Sequence, residues 1–282
     1  MMVQAPAADT ERRFGGLARL YGAAGAARIR SAHIVVIGVG GVGSWAAEAA
    51  ARSGIGRLTL IDLDHISESN INRQIHALTD TVGMAKVQAM RQRIALINEG
   101  CRVDCIEAFV DAGNWPAILG PDVDLQAPGL AVIDACDQVR AKTAISAWAV
   151  RSGTRFISVG AAGGKQLAHK VDIEDLSLVT HDPLLAQMRY RLRREHAAVK
   201  GVKKIGIACV FSREAVVRPA LEGASGHPQL STVLADAGKV ADSLAQTDAT
   251  LNCHGYGSVV SVTATFGLCA AGWVLSKMAG PT

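Results

Sequence analysis

Four glycines in the segment Gly38-Val-Gly-Gly-Val-Gly43 could bring backbone amides close to a phosphate group. An apolar run at 34–37 precedes them, and a helix-like stretch follows. Such a turn lets the backbone approach a phosphate, while the next helix points free N–H groups at it. The predicted phosphate-binding residues are Gly38, Gly40, Gly41 and Gly43.

Asp62 lies 19 residues beyond Gly43, at the end of a second apolar run. An acid in that position is placed to accept a hydrogen bond from a ribose hydroxyl. Capping of the turn before Asp64 is the simpler alternative, but the position at a strand end favours a ribose contact.

Polar and cationic side chains then favour ATP over a dinucleotide. Asn70, Arg73, Gln74 and Lys86 follow the acid in order. Cations at a triphosphate stabilise the charge that grows on the α-phosphate and on the departing pyrophosphate. Either cation alone would be interpreted as part of a solvated helix face. Together they predict catalytic roles for Arg73 and Lys86, and nucleotide contacts for Asn70 and Gln74.

A further acid, Asp137, follows the apolar run 130–133. Ligands in parallel α/β sheets bind at the carboxyl ends of the strands, and hard cations bound to phosphate prefer carboxylate oxygens. Asp137 is therefore the predicted Mg²⁺ ligand and a catalytic residue. Its alternative role is to cap the helix that carries Arg140 and Lys142.

Composition limits the class of protein. The 282 residues are 49% hydrophobic with a net charge of +4, enough for one large domain with a substantial core. Six cysteines without a CxxC pair argue for reduced thiols in the cytoplasm and against a zinc ribbon. Residues 1–9 do not resemble a signal peptide. The stretch 249–276 lacks charged residues, so a buried helix or a subunit interface is predicted, with a membrane segment as the minority alternative.

Strand-like and helix-like segments alternate up to residue 164, which predicts an α/β protein with a Rossmann-like, doubly wound and mostly parallel sheet. Helices are expected near 14–30, 44–52, 85–97, 115–119, 141–150, 181–196 and 259–277. Strands are expected near 34–37, 58–61, 102–108, 130–133, 155–159, 171–173 and 205–211. We expect one domain over 1–282, with a nucleotide-binding half at about 14–164 and an elaborated half at about 165–282. A mobile loop is expected at Glu222–Asp236.

Seven cations and one acid, Glu195, occupy the sixteen residues from 189 to 204. Such a cluster is more often a solvated helix face, but its density favours an RNA backbone. The predicted RNA-binding residues are Arg189, Arg191, Arg193, Arg194, Lys200, Lys203 and Lys204.

The glycine turn, Asp62, Asn70-x-x-Arg73-Gln74, Lys86 and Asp137 together resemble the adenylating domain of the ubiquitin-activating superfamily, in the branch of the molybdopterin and thiamine sulfur-carrier adenylyltransferases. More narrowly, the chain resembles the tRNA threonylcarbamoyladenosine dehydratases. The segments that carry this resemblance are Arg13–Gly22, Gly41–Glu48, Asn72–Leu78, Asp137–Lys142, Gly160–Gly164, Cys209–Ser212 and Val262–Gly267. Two departures are Gln138, where the superfamily commonly has Asn, and the insertion-like stretch Glu222–Asp236.

The resemblance implies adenylation of the threonylcarbamoyl carboxylate of a tRNA by Mg-ATP, followed by ring closure. It further implies a homodimer in the cytoplasm and an arginine acting in the partner's site, either Arg13 or Arg19. It leaves open a monovalent cation and a cysteine desulfurase or sulfur-acceptor partner, and no DNA is expected. A covalent role for Cys253 is weighed, while Cys209 is expected to be an inert core thiol.

Three rival functions are an adenylyltransferase of a small sulfur-carrier protein, an NAD-dependent oxidoreductase and a non-catalytic tRNA scaffold. The first would act on a protein C-terminus and is disfavoured by the missing CxxC pairs. The second leaves Arg73 and Lys86 unexplained, and the third leaves the whole cationic set unexplained.

Overall fold

The computed structural model describes residues 9–201, 203–217 and 256–280. The described helices are α1 (Thr10–Ser31), α2 (Gly43–Arg52), α3 (Lys86–Ile97), α4 (Val139–Ser152), α5 (Pro183–Glu195) and α6 (Val260–Ala279). The described strands are β1 (His33–Ile37), β2 (Arg57–Ile61), β3 (Arg102–Ile106), β4 (Leu130–Asp134), β5 (Arg155–Val159), β6 (Val171–Asp175) and β7 (Ala208–Ser212). Short 3-10 turns occupy Glu68–Asn70, Ala117–Leu119 and Ala168–Lys170.

The seven described strands form one sheet in the order β3-β2-β1-β4-β5-β7-β6. Every neighbouring pair is parallel except β6 and β7, which are antiparallel. The predicted α/β architecture with a doubly wound, mostly parallel sheet is therefore confirmed. The strand order reverses direction between β1 and β4, and a ligand crevice forms at such a point.

Alternate residues of each strand enter cores on opposite faces of the sheet, because successive side chains of a strand point to opposite sides. Ile34 and Val36 of β1 join a core with residues of α2, α3 and α6. Val35 and Ile37 join a second core with residues of α4 and α5. Both faces of the sheet are thus covered by helices, as a parallel sheet requires.

Helix α6 contains most of the uncharged stretch 249–276, for which a buried helix and a membrane segment were the alternatives. By length and composition it could cross a membrane, yet 56% of its most apolar part is buried inside the protein. A methyl group at Gly267 would lie 2.4 Å from the carbonyl oxygen of Val42, so α6 and α2 are in backbone-close contact. Phe266 and Val274 are fully buried against the sheet. These contacts favour the predicted core helix.

Two predicted elements are shorter than expected. The helix predicted at 115–119 is only the 3-10 turn Ala117–Leu119, because the Asp111 carboxylate accepts hydrogen bonds from the amides of Gly113 and Asn114 just before it. Such local side-chain bonds compete with helical ones. The strand predicted from Ile205 begins at Ala208, after Gly206 at a φ of 88°. The predicted loop Glu222–Asp236 lies outside the described residues.

Candidate functional site

A cavity of about 680 Å³ opens at the carboxyl ends of β1, β4 and β5. It lies at the point where the strand order reverses, which is where a nucleotide is expected to bind. Most of the side chains and glycines predicted for ATP share its wall: Gly40, Gly41, Asn70, Arg73, Gln74, Lys86 and Asp137. The sequence therefore identified residues that the fold brings to one place from four separate segments.

Gly38 and Gly43 are not part of the cavity wall but make the turn that shapes it. A methyl group at Gly43 would lie 1.8 Å from the carbonyl oxygen of Gly38. Gly38 has a φ of +82°, and a methyl group there would lie 2.8 Å from the carbonyl oxygen of Ala135. Their role is close backbone packing, which leaves Gly40 and Gly41 as the two glycines that face a ligand.

Asp62 lies behind the wall rather than in it. Its Oδ2 accepts a hydrogen bond from the amide of Val39 at 2.6 Å, and its Oδ1 accepts one from the amide of Asp64 at 2.9 Å. Burial raises the pKa of the Asp62 carboxyl, and the nearby Lys86 opposes that rise. The carboxylate thus joins the glycine turn to the next loop, and Asp64 and His65 are the residues of that loop in the wall.

Lys86 begins helix α3 and is only 7% exposed. Its Nζ lies 2.6 Å from Oδ2 of Asp64 and 4.0 Å from Oδ1 of Asp62. An antiparallel bridge between His65 and Ala85 holds together the two ends of the segment that connects β2 to α3. The ammonium group is thereby fixed in the cavity wall beside a carboxylate that is itself half exposed.

Arg73 follows the 3-10 turn Glu68–Asn70, and hydrogen bonds to neighbouring residues hold its side chain. Its Nη1 donates to the carbonyl oxygen of Ser69 at 2.6 Å and to Oδ1 of Asn72 at 3.0 Å. Trp45 Nε1 donates to the carbonyl oxygen of Arg73 at 3.0 Å, which ties the turn to helix α2. The guanidinium therefore reaches the cavity from a constrained backbone.

Asn70 and Gln74 are buried beside Arg73. Asn70 Oδ1 accepts a hydrogen bond from the amide of Ser67 at 3.2 Å. This oxygen therefore stabilises the start of the 3-10 turn to which Asn70 belongs. Gln74 Oε1 is buried and has no hydrogen-bond partner among the described residues. Because a buried amide oxygen without a partner is costly, it marks a place where a ligand donor fits.

Asp137 stands on the turn between β4 and α4. Burial raises the pKa of its carboxyl, and Lys142 and Lys86 act in the opposite direction. The alternative capping role was wrong, because Gln138 occupies the N-cap position of α4 and the N-terminus of this helix has no side-chain cap hydrogen bond. Asp137 is thus available to a ligand in the cavity.

Below that turn lies a buried ion pair that sequence reasoning missed. Lys142 Nζ donates to Oδ2 of Asp134 at 2.8 Å and to its carbonyl oxygen at 3.1 Å, and both side chains are fully buried. Ser158 Oγ donates to the same Oδ2 at 2.8 Å. Burial opposes a charge on Lys142, but contact with Asp134 and Cys136 outweighs it and raises the pKa of the lysine. Asp134 directly follows a predicted strand, but in the sequence Lys142 is not distinguishable from a solvent-exposed helix residue. The pair could therefore not be predicted.

The cavity suits a magnesium nucleotide. Helix α2 begins beside Gly41 without a capping side chain and without an acid in its first turn, so its N-terminus favours an anion. No group of three or more His, Cys, Asp or Glu side chains placed to hold a metal occurs within the described parts of the chain. Mg²⁺ commonly uses one or two carboxylates together with substrate phosphates, and Asp137 with Asp64 supplies that donor set.

Comparison with known proteins identifies the family. The ThiF family model matches residues 14–183. The tRNA threonylcarbamoyladenosine dehydratase of Escherichia coli K12 is 42% identical over 95% of this chain and 93% of the relative. That of Haemophilus influenzae is 41% identical over 95% and 94%. The crystal structure of the Escherichia coli dehydratase in complex with ATP matches with a TM-score of 0.77, at 40% identity over 95% of this chain and 94% of that one. The chain belongs to the ThiF family, among the tRNA threonylcarbamoyladenosine dehydratases.

In this family member, the predicted basic residues separate into two groups. Arg189 Nη1 donates to the carbonyl oxygens of Leu176 and Val179, both at 2.9 Å, so this guanidinium is held by the protein itself. Burial lowers the pKa of Arg189. This placement disfavours a tRNA contact for Arg189, a distinction that residue type alone could not make.

The remaining predicted cations extend along the end of α5 and the segment after it. Arg193 donates to the carbonyl oxygens of Val199 and Gly201, and Arg191 and Arg194 contact the single acid Glu195. Lys200, Lys203 and Lys204 are exposed. Helix α5 starts at the cavity with Pro183 and Leu184, and its 13 residues carry the basic end about 20 Å away.

The two arginines proposed to act in trans differ in their surroundings. Arg13 Nη1 donates to the carbonyl oxygen of Ile97 at 3.3 Å and lies 3.6 Å from Glu99 of its own chain. Arg19 is exposed further along α1. Cys209 is fully buried, which agrees with an inert core thiol, and burial raises its pKa well above the ordinary value. Cys253 lies outside the described residues.

Two segments of the cavity wall could have been found from the same strand-end rule. Gly160–Gly163 follow β5 at the carboxyl edge of the sheet, as Asp137 follows β4, and they line the cavity. Asp64 belongs to the loop after β2, two residues beyond the predicted acid. Tyr256 and Thr263 also line the cavity; Thr263 belongs to the segment Val262–Gly267 that resembles the family, whereas no motif in the sequence singled out Tyr256.

Proposed function

We propose that this chain catalyses the ATP-dependent dehydration of N6-threonylcarbamoyladenosine in tRNA, releasing AMP and pyrophosphate. The observation that carries the proposal is the cavity in which Arg73, Lys86 and Asp137 meet at the glycine turn. Family membership supports the substrate, since relatives of 41–42% identity over 95% of the chain bear this activity in their names.

In the first step, the threonine carboxylate attacks the α-phosphorus of ATP. The bond from that phosphorus to the bridging oxygen breaks, and pyrophosphate leaves with the electron pair. Arg73 and Lys86 offset the negative charge that grows on the phosphates, which is the largest contribution that a preorganised site can make. Asp137, assisted by Asp64, is proposed to hold Mg²⁺, which neutralises phosphate charge when bound.

In the second step, the carbamoyl group of the same nucleoside attacks the acyl carbon and closes a ring. AMP leaves with the oxygen that had been part of the carboxylate, and one proton is lost. Since both reacting groups are on one nucleoside, the closure is intramolecular, which can supply about 7 kcal/mol or more. The protein's share is to orient the two groups and to exclude water that would hydrolyse the adenylate.

Assembly and location follow from the same proposal. A homodimer would let an N-terminal arginine complete the partner's site, and the exposed Arg19 is the better placed of the two, because Arg13 is engaged within its own chain. A cytoplasmic location agrees with the five free cysteines among the described residues. One sheet shared by both halves supports a single adenylating domain. A monovalent cation and a sulfur-acceptor partner stay predictions of the family resemblance.

The test of the reaction is AMP release from ATP with threonylcarbamoylated tRNA. Arg73→Ala and Lys86→Met should abolish AMP formation while leaving the melting temperature within a few degrees of the parent. Arg91→Ala is the matched control, because it removes an exposed cation from the same helix as Lys86 without touching the cavity.

Near-normal turnover in both cavity variants would refute the assignment of these residues. AMP release that requires a small sulfur-carrier protein instead of tRNA would establish the rival adenylyltransferase.

The proposed tRNA surface is tested by the salt dependence of binding. Replacing Lys200, Lys203 and Lys204 by Gln should lower the slope of log affinity against log salt by about 2, because each phosphate contact on a single strand contributes roughly 0.7. Arg91→Gln again serves as the control. An unchanged slope would remove this surface from the proposal.

A further inference from the structure

The cavity continues well beyond the residues proposed to hold ATP. We call this continuation the β5 half. Its wall contains no charged side chain among the described residues and is formed by Gly160, Ala161, Ala162, Gly163, Pro183, Leu184, Val216 and Tyr256. The other half carries Asp64, Arg73, Lys86 and Asp137. One half therefore suits a magnesium triphosphate, and the other suits an uncharged group.

The glycines of the β5 half allow neighbouring side chains to come unusually close. A methyl group at Gly160 would lie 2.0 Å from Oδ2 of Asp182, and one at Gly164 would lie 2.8 Å from Cγ1 of Val216. Asp182 is 4% exposed and accepts hydrogen bonds from the amides of Ala161 and Leu185, each at 2.9 Å. The wall is thus held rigidly against the start of α5.

Tyr256 lies against this wall, and the residue after it is hydrogen-bonded to the glycine segment that follows β5. The amide of Gly164 donates to the carbonyl oxygen of Gly257 at 2.8 Å, and the amide of Val217 donates to the carbonyl oxygen of Gly164 at 2.8 Å. A methyl group at Gly163 would lie 3.3 Å from Cβ of Tyr256. The ring is only partly exposed, and no other Phe, Tyr or Trp lines the cavity in the described parts of the chain.

We propose that Tyr256 stacks on the unpaired adenine base of the acceptor nucleoside and so places its carboxylate against the α-phosphate of ATP. This inference rests on the proposed function and assigns the β5 half to the second substrate. An acceptor must enter from the side of the cavity that the nucleotide does not fill, and the β5 half is that side. Proteins that recognise unpaired RNA bases commonly stack them on aromatic side chains.

Helix α5 connects the β5 half to the basic surface. Pro183 and Leu184 belong to both the cavity wall and the first turn of α5, whose far end carries Arg193 and Arg194. An RNA segment with one base beside Tyr256 could place phosphates a few nucleotides away near these cations, since α5 spans about 20 Å. The ring and the basic helix would act on one RNA segment.

The experiment compares the parent with Tyr256→Leu, Tyr256→Met and Tyr256→Phe. Steady-state AMP release gives kcat/KM for threonylcarbamoylated tRNA, and equilibrium titration gives the Kd of ATP. Because one stacked base contributes an amount equivalent to a five- to hundred-fold change, Leu and Met should each lower kcat/KM for tRNA by about that factor. The Kd of ATP should be unchanged, and Phe should behave as the parent.

A second measurement isolates the base itself. The Kd of the free nucleoside N6-threonylcarbamoyladenosine is compared with that of N-carbamoylthreonine, which lacks the base, in the presence of a non-hydrolysable ATP analogue. The parent and Tyr256→Phe should bind the nucleoside more tightly, and Tyr256→Leu should lose that preference.

The inference is overturned if kcat/KM for tRNA is unchanged in the Leu and Met variants. It is also overturned if the Kd of ATP rises by the same factor, because Tyr256 would then contact the adenine of ATP. A parent enzyme that releases no AMP with this tRNA would instead refute the proposed function. The unchanged Kd of ATP shows that a variant has folded, and agreement between Leu and Met separates loss of the ring from a packing defect.

Discussion

Removing the ammonium of the buried pair Asp134–Lys142 should destabilise the protein strongly. Both side chains are fully buried, and Lys142→Met keeps the length of the side chain while removing its charge. Breaking a buried ion pair by deleting one partner costs about 3–5 kcal/mol. The remaining donor Ser158 Oγ at 2.8 Å and the amide of Cys136 at 3.2 Å still serve the carboxylate. We therefore expect a loss of free energy of unfolding near the lower limit, about 3 kcal/mol.

This loss corresponds to a fall in melting temperature of about 6–12 °C, taking roughly 2–4 °C per kcal/mol for a chain of this size. The double variant Asp134→Asn with Lys142→Met removes both charges and should recover most of the loss, since replacing both partners of a buried pair is often neutral. Urea unfolding monitored by circular dichroism measures both effects. A single variant that melts within about 2 °C of the parent, or a double variant no better than the single one, would refute the reasoning.

Further predictions concern pH and the glycine turn. Burial lowers the pKa of His76 to about 4 from its ordinary 6.5, and its ring nitrogens have no partner among the described residues. The unfolded chain therefore gains a proton before the native one, and stability should fall by up to about 3 kcal/mol as pH drops from 6.5 to 4. His76→Leu should remove that part of the loss of stability in acid. Burial also lowers the pKa of His33 to about 4, so the loss due to His33 should remain, and calorimetry at pH 7 and pH 4.5 can measure it. Gly43→Ala should fail to fold because its methyl group would overlap the backbone, whereas Gly40→Ala should fold and bind ATP more weakly; circular dichroism and ATP titration separate the two.

Residue order along the chain was enough to predict the sheet and the ATP half of the cavity. Apolar runs marked the strands, and the rule that ligands bind at their carboxyl ends placed Asp137 and the glycine turn together. Lys86 was found only in combination with Asn70, Arg73 and Gln74, because a single cation would have been interpreted as part of a solvated helix face.

The part that could not be predicted depends on contacts between distant segments. Lys142 forms a buried pair, and Arg189 binds backbone carbonyls, yet both have the sequence appearance of surface cations. The ribose contact of Asp62 stays a prediction, and what the sequence did not show is that its carboxylate also accepts a hydrogen bond from the amide of Val39. Tyr256 belongs to the described residues 256–259, which lie outside the strands and helices, so no periodicity could have placed it at the cavity.

The contact between the first and last described helices bears on how this protein is made. Arg28 of α1 donates to the carbonyl oxygen of Ala279 through Nε at 3.0 Å and through Nη2, and a methyl group at Gly25 would lie 3.4 Å from Cβ of Ala279. The part of the sheet face that α6 covers, over β4, β5, β6 and β7, therefore stays uncovered during synthesis until α6 has been made. The packing of α1 against α6 can form only then, although α1 is the first described helix to leave the ribosome.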